Sequence, residues 1–338
     1  MGKTLEVARD RAFDQTKTVL PNEVARGVYI EHPPSAQALK LMHLLISQAG
    51  GRMADEVQHE IRLSDIRKVA GMRNHDRASL RDLFIQLRAA TMVYEDTETH
   101  AEIIGGFMDE IRLEHGHEAS DDLVMKWWFA RTFRDMADKS NHWAILDRQT
   151  VFALSSKYSI LLFQHITSLT GLDRIDSKSF TVAELRAVLG VPEGKLSRFS
   201  NLMQKALKPA IDEINQLSRL ILTVTPHKVG RTVARVEIGW QVKEDPTPAK
   251  KELRGHSAGR KARRSGTAEM PVLPFPSDGH IEFNAHWREI KREAGCNMDN
   301  TIIADKFRAF CRDRGIALDA HNIEQVFRGF CAKIGMIR

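Results

Sequence analysis

The chain has 338 residues, 42% of them hydrophobic and 28% charged, with a formal net charge of +6. That is ordinary globular composition, which argues against wholesale disorder; no run of about 18 apolar residues offers a membrane span. The N-terminal MGKTLEVARDRAFDQTK has neither an apolar signal core nor a small-residue cleavage site, so a cytoplasmic protein is expected, with Cys296, Cys311 and Cys331 as reduced thiols.

The first 34 residues read as an arm or a short leading helix, closed by His32-Pro33-Pro34. Ser35 can cap a helix carrying Leu39, Leu41, Met42, Leu44, Leu45 and Ile46, which ends at Gly50-Gly51. A short strand at Val57–Ile61 and a short helix at Asp65–Ala70 follow. After the polar turn Arg73-Asn74-His75, a longer helix runs from Asp76 to Ala90. Strand-like runs then cover Met92–Glu95, Ala101–Ile104, Phe107–Leu113 and Leu123–Phe129.

The same order begins again after Trp143–Leu146. A helix spans Tyr158–Leu169, and Ser179-Phe180 is a strand candidate. Thr181 and Glu184 form a T-x-x-E capping box for a helix at Val182–Leu189. Gly190–Gly194 is a turn. The next helical region runs from Leu196 to Leu217 and contains Pro209, which lacks an N–H and starts a fresh turn or a kink. Two alternating strands, Leu220–Thr225 and Thr232–Ile238, flank a hairpin tip with Gly230. Asp245–Asp278 reads as a linker with five prolines and the cluster Arg260-Lys261-Ala262-Arg263-Arg264. Three more helices are expected at Asn284–Ala294, Thr301–Arg314 and His321–Ile334, the last two with apolar stripes.

Charge placement points to function. Lys157 to Lys243 holds 13 Lys/Arg against 7 Asp/Glu, and Thr247 to Gly266 holds 7 against 1. Ser35 to Ala130 is the opposite, with 11 against 16. Local positive excess suits a phosphate-bearing partner. The central segment also supplies a DNA reader in order: a bracing helix at Val182–Leu189, the turn, a reading helix from Leu196, and a wing at Pro226–Arg231. A helix of this kind fits the major groove. On the reader, Leu202, Ala206, Leu207, Ile211 and Ile214 make a buried stripe. The other face presents Arg198, Asn201, Gln204, Lys205 and Lys208. Arg198, Asn201 and Lys205 are expected at bases or adjacent phosphates, and Lys208, Lys228 and Arg231 mainly at phosphates.

Three runs in this segment carry a family resemblance: Lys157-Tyr158-Ser159-Ile160-Leu161-Leu162, Phe180-Thr181-Val182-Ala183-Glu184-Leu185-Arg186, and Leu207-Lys208-Pro209-Ala210-Ile211-Asp212-Glu213-Ile214-Asn215. With the Lys228-Val229-Gly230-Arg231 hairpin, they resemble the initiator replication proteins of iteron-type plasmids. The resemblance spans about residues 20–242 and implies two tandem winged helices. It implies binding of double-stranded DNA at direct repeats of an origin, origin opening, recruitment of host initiator and helicase, and a homodimer that represses its own gene. No catalytic residues and no cofactor are implied. A transcriptional repressor that binds an operator without a replication role is the alternative.

The expected architecture is α+β and mainly helical: an arm at 1–34, a first winged helix at 35–146, a second at 147–243, a basic Pro-rich linker at 244–280 and a small helical C-terminal domain at 281–338. From Glu95 to Asp122 there are 10 Asp/Glu against Arg112 alone, and such a wing is repelled by phosphates. The first winged helix is therefore either an auxiliary DNA contact through Arg73, Arg77 and Arg81, or a surface for dimerisation or a host protein. The cysteine spacing lacks C-x-x-C pairs, no P-loop is present, and His115-Gly116-His117 reads as a surface loop. The tyrosines, Tyr29, Tyr94 and Tyr158, adjoin no histidine cluster, which disfavours a DNA-nicking enzyme.

Overall fold

The computed structural model describes residues 2–12, 14–69, 72–95, 100–114, 123–172, 175–254, 273–282, 284–320 and 322–335. The expected N-terminal arm is part of the core. Helix α1 (Lys3–Asp10) buries Thr4, Leu5 and Ala8. Strand β1 (Lys17–Pro21), the short helix α2 (Asn22–Arg26) and strand β2 (Val28–Glu31) follow. Both strands find remote partners: β1 pairs with residues 143–147, and β2 with residues 91–93. Pairing at that separation leaves no periodic signal in the local sequence.

The first winged-helix unit contains α3 (Ala36–Ala49), β3 (His59–Arg62), α4 (Leu63–Arg67) and α5 (Arg77–Ala89). The Ser35 cap is the expected one, and Asp76 adds a second at the start of α5. Ser35 Oγ accepts from the Ala38 amide at 3.3 Å, and Asp76 accepts from the Ser79 amide at 2.8 Å. A hairpin of β4 (Thr91–Glu95) and β5 (Glu102–Gly106) precedes the wing strands β6 (Met108–Leu113) and β7 (Val124–Phe129). Strand β7 lies between β3 and β6, while β4 lies between β2 and β5. Trp127 is fully buried; the Phe107, Phe129 and Phe133 rings pack at centroid distances of 4.6–5.3 Å.

Helix α6 (Arg131–Lys139), strand β8 (Trp143–Asp147) and helix α7 (Arg148–Ala153) connect to the second unit. That unit comprises α8 (Lys157–Leu169), β9 (Ser177–Thr181), α9 (Val182–Val188), α10 (Phe199–Leu202), a π-helical turn at Met203–Leu207, α11 (Lys208–Leu217), β10 (Leu220–Val229) and β11 (Thr232–Val242). Strand β11 lies between β9 and β10, the arrangement that β7 has between β3 and β6. The two units therefore share a topology, and the first adds the β4–β5 hairpin.

One continuous apolar cluster runs from Leu5 to Trp240, with α3 and α8 buried on nearly every side. Polar contacts cross the same seam. Arg26 Nε donates to Ser168 Oγ at 2.9 Å, and Gln164 Nε2 donates to the Val24 carbonyl at 3.3 Å. Lys40 on α3 and Glu213 on α11 are both buried. Burial pulls the Lys40 ammonium down to about 8, and the Glu213 carboxylate acts in the opposite direction. Glu213 also accepts from the Ser155 amide at 3.0 Å and the Ser155 hydroxyl at 2.7 Å.

The expected linker is shorter than residues 245–278. Helix α12 (Thr247–Arg254) buries Ala249 and half-buries Leu253, and Gln216 Nε2 donates to Glu252 Oε2 at 3.2 Å. Its i, i+4 apolar pair supplies the burial that offsets the ordering entropy. The basic cluster at 260–264 lies outside the described residues, as do the 115–117 loop and much of the acidic hairpin tips. Leu273 and Phe275 already belong to the C-terminal core. There Phe275 meets Trp287, Phe307 and Phe327 at ring distances of 5.0, 4.7 and 4.9 Å. Helices α13 (Ala285–Glu293), α14 (Asn300–Asp313) and α15 (Ile323–Gly335) complete that domain. It takes Ile221 of β10 into its apolar cluster, and all three cysteines are buried free thiols. No helix among the described residues is long and apolar enough to cross a membrane.

Three histidines are enclosed as neutral rings. Burial pushes His43 and His59 down to about 4; it pushes His165 down to about 3, with Lys178 and Arg26 adding repulsion. In the unfolded chain these rings titrate near 6.5. Below that pH the unfolded chain binds protons that the folded chain refuses. Stability is therefore full above about pH 6.5 and falls as pH drops toward 4. Thermal unfolding is expected to show a lower Tm at pH 5 than at pH 7.5, with a shallower pH slope in His43→Gln. A Tm that does not change across that window contradicts the neutral burial.

Candidate nucleic-acid interface

The second unit builds its exposed face from a rigid turn outward. The Thr181–Glu184 box closes in both directions: Glu184 Oε2 accepts from the Thr181 amide at 2.7 Å, and Thr181 Oγ1 accepts from the Glu184 amide at 3.1 Å. Helix α9 then ends at Gly190, whose φ of 58° belongs to the left-handed region. A Cβ there would sit 2.8 Å from Leu161 Cδ1, so the turn packs directly on α8. Two cations hold the loop between this turn and the next helix. Lys157 Nζ donates to the Gly190 carbonyl at 2.9 Å. Arg186 donates from Nη1 to the Leu196 carbonyl and from Nη2 to the Lys195 carbonyl, both at 2.5 Å. These bonds span Leu196, a non-glycine residue at φ 49°. Such a backbone costs of order 1–3 kcal/mol and persists only where its surroundings fix it.

The reading helix starts later than the sequence suggests. Arg198 is extended and occupies the cap position, and α10 begins at Phe199. The chain then passes through the π-helical turn, where the Lys208 amide bonds to the Met203 carbonyl. Pro209 explains the widened turn. It has no N–H to give and its ring crowds the carbonyl four residues back, so an ordinary α-turn cannot run through it unchanged. The expected break at Pro209 is therefore a π-turn just before α11, and α11 carries the proline in its first turn. π-turns within helices are frequent at functional sites.

The predicted faces separate as expected. Leu202, Ala206, Leu207, Ile211 and Ile214 are buried. Arg198, Gln204, Lys205 and Lys208 are exposed, and Asn201 is half-buried. Lys208 sits 3.4 Å from Asp212, a weak exposed pair. Helix α11 passes through a short turn into strand β10, and the Asn215 side chain bridges that turn to Leu222 through Oδ1 at 2.6 Å and Nδ2 at 2.9 Å. At the far end of β10, Val229, Gly230 and Arg231 form the tip of the wing. Lys228 and Arg231 are both exposed at that tip.

The first unit offers a second cationic face. Arg73 lies in the turn before α5, Arg77 is its first residue and Arg81 is one turn on; all three are exposed. Arg77 also reaches the Leu113 carbonyl of the wing at 3.5 Å. In the described part of the acidic wing, the carboxylates are partly offset. Arg112 pairs with Glu110 at 2.5 Å, and Lys126 with Glu114 at 2.6 Å. Arg112 is already in the Glu95–Asp122 count, so Lys126 alone is the added cation, and the hairpin keeps a large excess of carboxylates.

Sequence reasoning missed several contributors. Arg88 is exposed on α5, with Nε donating to the Asp109 carbonyl at 3.0 Å. Arg235 is exposed on β11, with Nε donating to Ser179 Oγ at 3.3 Å. Arg186, which fixes the loop before the reader, was visible only as a basic residue in the last turn of the brace. No group of three His, Cys, Asp or Glu side chains among the described residues is placed to hold a metal ion.

Two family models match the chain. One, described as initiator replication protein WH1, matches residues 22–167; the other, initiator Rep protein WH2, matches residues 181–240. Together they take in well over half of the sequence. Most of helix α8 falls within the first match although it also opens the second unit, in keeping with its burial in the shared core. Among solved structures, a selenomethionine crystal structure of domains 2 and 3 of RctB is 13% identical, with a TM-score of 0.36, over 61% of this chain and 80% of that one. A second RctB domain 2–3 crystal structure is 11% identical, with a TM-score of 0.34, over 62% and 80%. Those overlaps are too loose to carry an argument. No curated protein matches the sequence.

Proposed function

Since the chain belongs to the initiator Rep protein family and is a DNA-binding replication initiator with tandem WH1 and WH2 units, we propose that it binds repeated double-stranded sites at a plasmid origin. The observation that supports this reading is the exposed basic and polar set that the second unit carries on its reading helix and on its wing. Arg198, Asn201, Gln204 and Lys205 meet base edges in the major groove, as side chains of these types do. Lys208 and Lys228 neutralise flanking phosphates and set the register. Arg73, Arg77 and Arg81 give the first unit an auxiliary hold on the same duplex. The function needs no cofactor and no catalytic residue: binding strains the origin open, and host initiator and helicase load there, in the cytoplasm. A homodimer occupying its own promoter supplies autorepression.

The test is a footprint on the DNA flanking the gene. Protection of several direct repeats supports the initiator reading. Protection confined to one isolated inverted repeat favours an operator-binding repressor. The phosphate assignments have their own check. Each phosphate contact contributes about 0.9 to the slope of log K against log salt. The Lys208→Ala/Lys228→Ala double variant is expected to flatten that slope by nearly two, and an unchanged slope removes both residues from the backbone contact.

A further inference from the structure

The wing tip has features that phosphate contact does not require. Strand β9 supports β11 only from Arg235 to Gly239. Past the His227–Arg235 pair the hairpin stands as two strands alone. The register slips there: Lys228 lies opposite Val233, which leaves Ala234 unmatched. Such a bulge bends the strand, increases its twist and re-aims the tip beyond it. Three residues of strand carry the tip about 10 Å beyond the supporting sheet, further than the roughly 7.5 Å depth of the DNA minor groove.

The chemistry of the tip is equally specific. Val229 is 75% exposed, more than any other large hydrophobic side chain among the described residues. It stands between Lys228 and Arg231, on a turn that Gly230 closes at φ 62°. An apolar side chain held out on a narrow arm, with a cation on either side, matches a cleft with anionic rims and apolar inner walls. The minor groove has phosphate rims and deoxyribose walls. Proteins that enter it use arginine at the base edges and apolar residues as wedges, and A·T-rich tracts narrow it and draw arginine in.

We propose that the wing tip enters an A·T-rich minor groove beside the major-groove site, with Arg231 at the base edges and Val229 against the sugar walls. This rests on the DNA-reading assignment above and moves Arg231 from phosphate contact to sequence discrimination.

The experiment begins with a duplex that the full chain enriches from a random-sequence library. Each adenine in turn is replaced by 2,6-diaminopurine, which adds an amino group in the minor groove and preserves the major-groove edge. The expected result is a short run of positions, outside the major-groove footprint, where a single replacement weakens binding about tenfold. That sensitivity disappears in Val229→Ala/Arg231→Ala, whose melting curve stays at the wild-type position because both residues are exposed. Tolerance at every position overturns the proposal, as does sensitivity that persists in the double variant. A flattened salt slope with no sensitive position returns Arg231 to the phosphates. If no duplex is enriched, the DNA-reading assignment itself fails and this proposal falls with it.

Discussion

Arg198→Ala and Lys205→Ala are each expected to weaken binding to the specific duplex by about 1–3 kcal/mol, and the double variant by at least about thirtyfold. Neither side chain has a partner among the described residues, and both are exposed. Their donors are therefore available to DNA without breaking any internal bond. Their backbone is held in advance. Arg186 clamps the loop that leads to Arg198, and the π-turn that carries Lys205 is stabilised from within by Leu207 and Ala206, both buried. Little ordering cost is left for the bound state. Binding to random duplex should fall far less, because phosphate contacts carry that term. Equal losses on both duplexes, in a titration at fixed salt, would move the two residues from base reading to backbone contact.

The second large effect concerns stability. Glu213→Ala is expected to cost about 2–3 kcal/mol in urea unfolding, the order for leaving buried donors without their charged acceptor. Glu213 is 1% exposed and Lys40 7% exposed. The loss has two parts. Lys40 loses the carboxylate whose field opposes its desolvation, and the Ser155 amide and hydroxyl lose their acceptor. Lys40→Met combined with Glu213→Gln removes the charge and keeps an acceptor for Ser155, so most of the stability should return. A loss below about 1 kcal/mol would show that water replaces the Glu213 carboxylate as the partner of Ser155.

Much of the second unit was legible in the sequence because its signals are local. The Thr181–Glu184 box, the apolar stripe through Leu202 and Ile214 and the Gly230 turn each depend on residues a few positions apart. The exposed set Arg198, Gln204, Lys205 and Lys208 followed from the stripe by exclusion. Three things were not legible. Strands β1 and β2 are ordered by partners far along the chain, so Lys17–Glu31 read as an arm. The π-turn was only half visible: Pro209 announces a disturbance, but α-helix, kink and π-turn share that signal. The fixed loop at Leu196 depends on Arg186 reaching two carbonyls, a geometry that no spacing rule encodes. The Lys126–Glu114 pair was not legible either, since Lys126 lies outside the Glu95–Asp122 run and meets Glu114 only through strand pairing. The linker was overestimated because a single apolar pair, Ala249 and Leu253, suffices to dock α12.

The most direct test of the initiator reading is maintenance of a replicon. The gene and its flanking DNA are placed in a plasmid without an origin, and transformants are followed without selection. Stable maintenance is expected with the wild-type chain, and loss with Arg198→Ala/Lys205→Ala expressed at the same level. Failure of the wild-type chain to sustain the plasmid, while it still binds its flanking site tightly, would contradict the initiator account and leave a repressor.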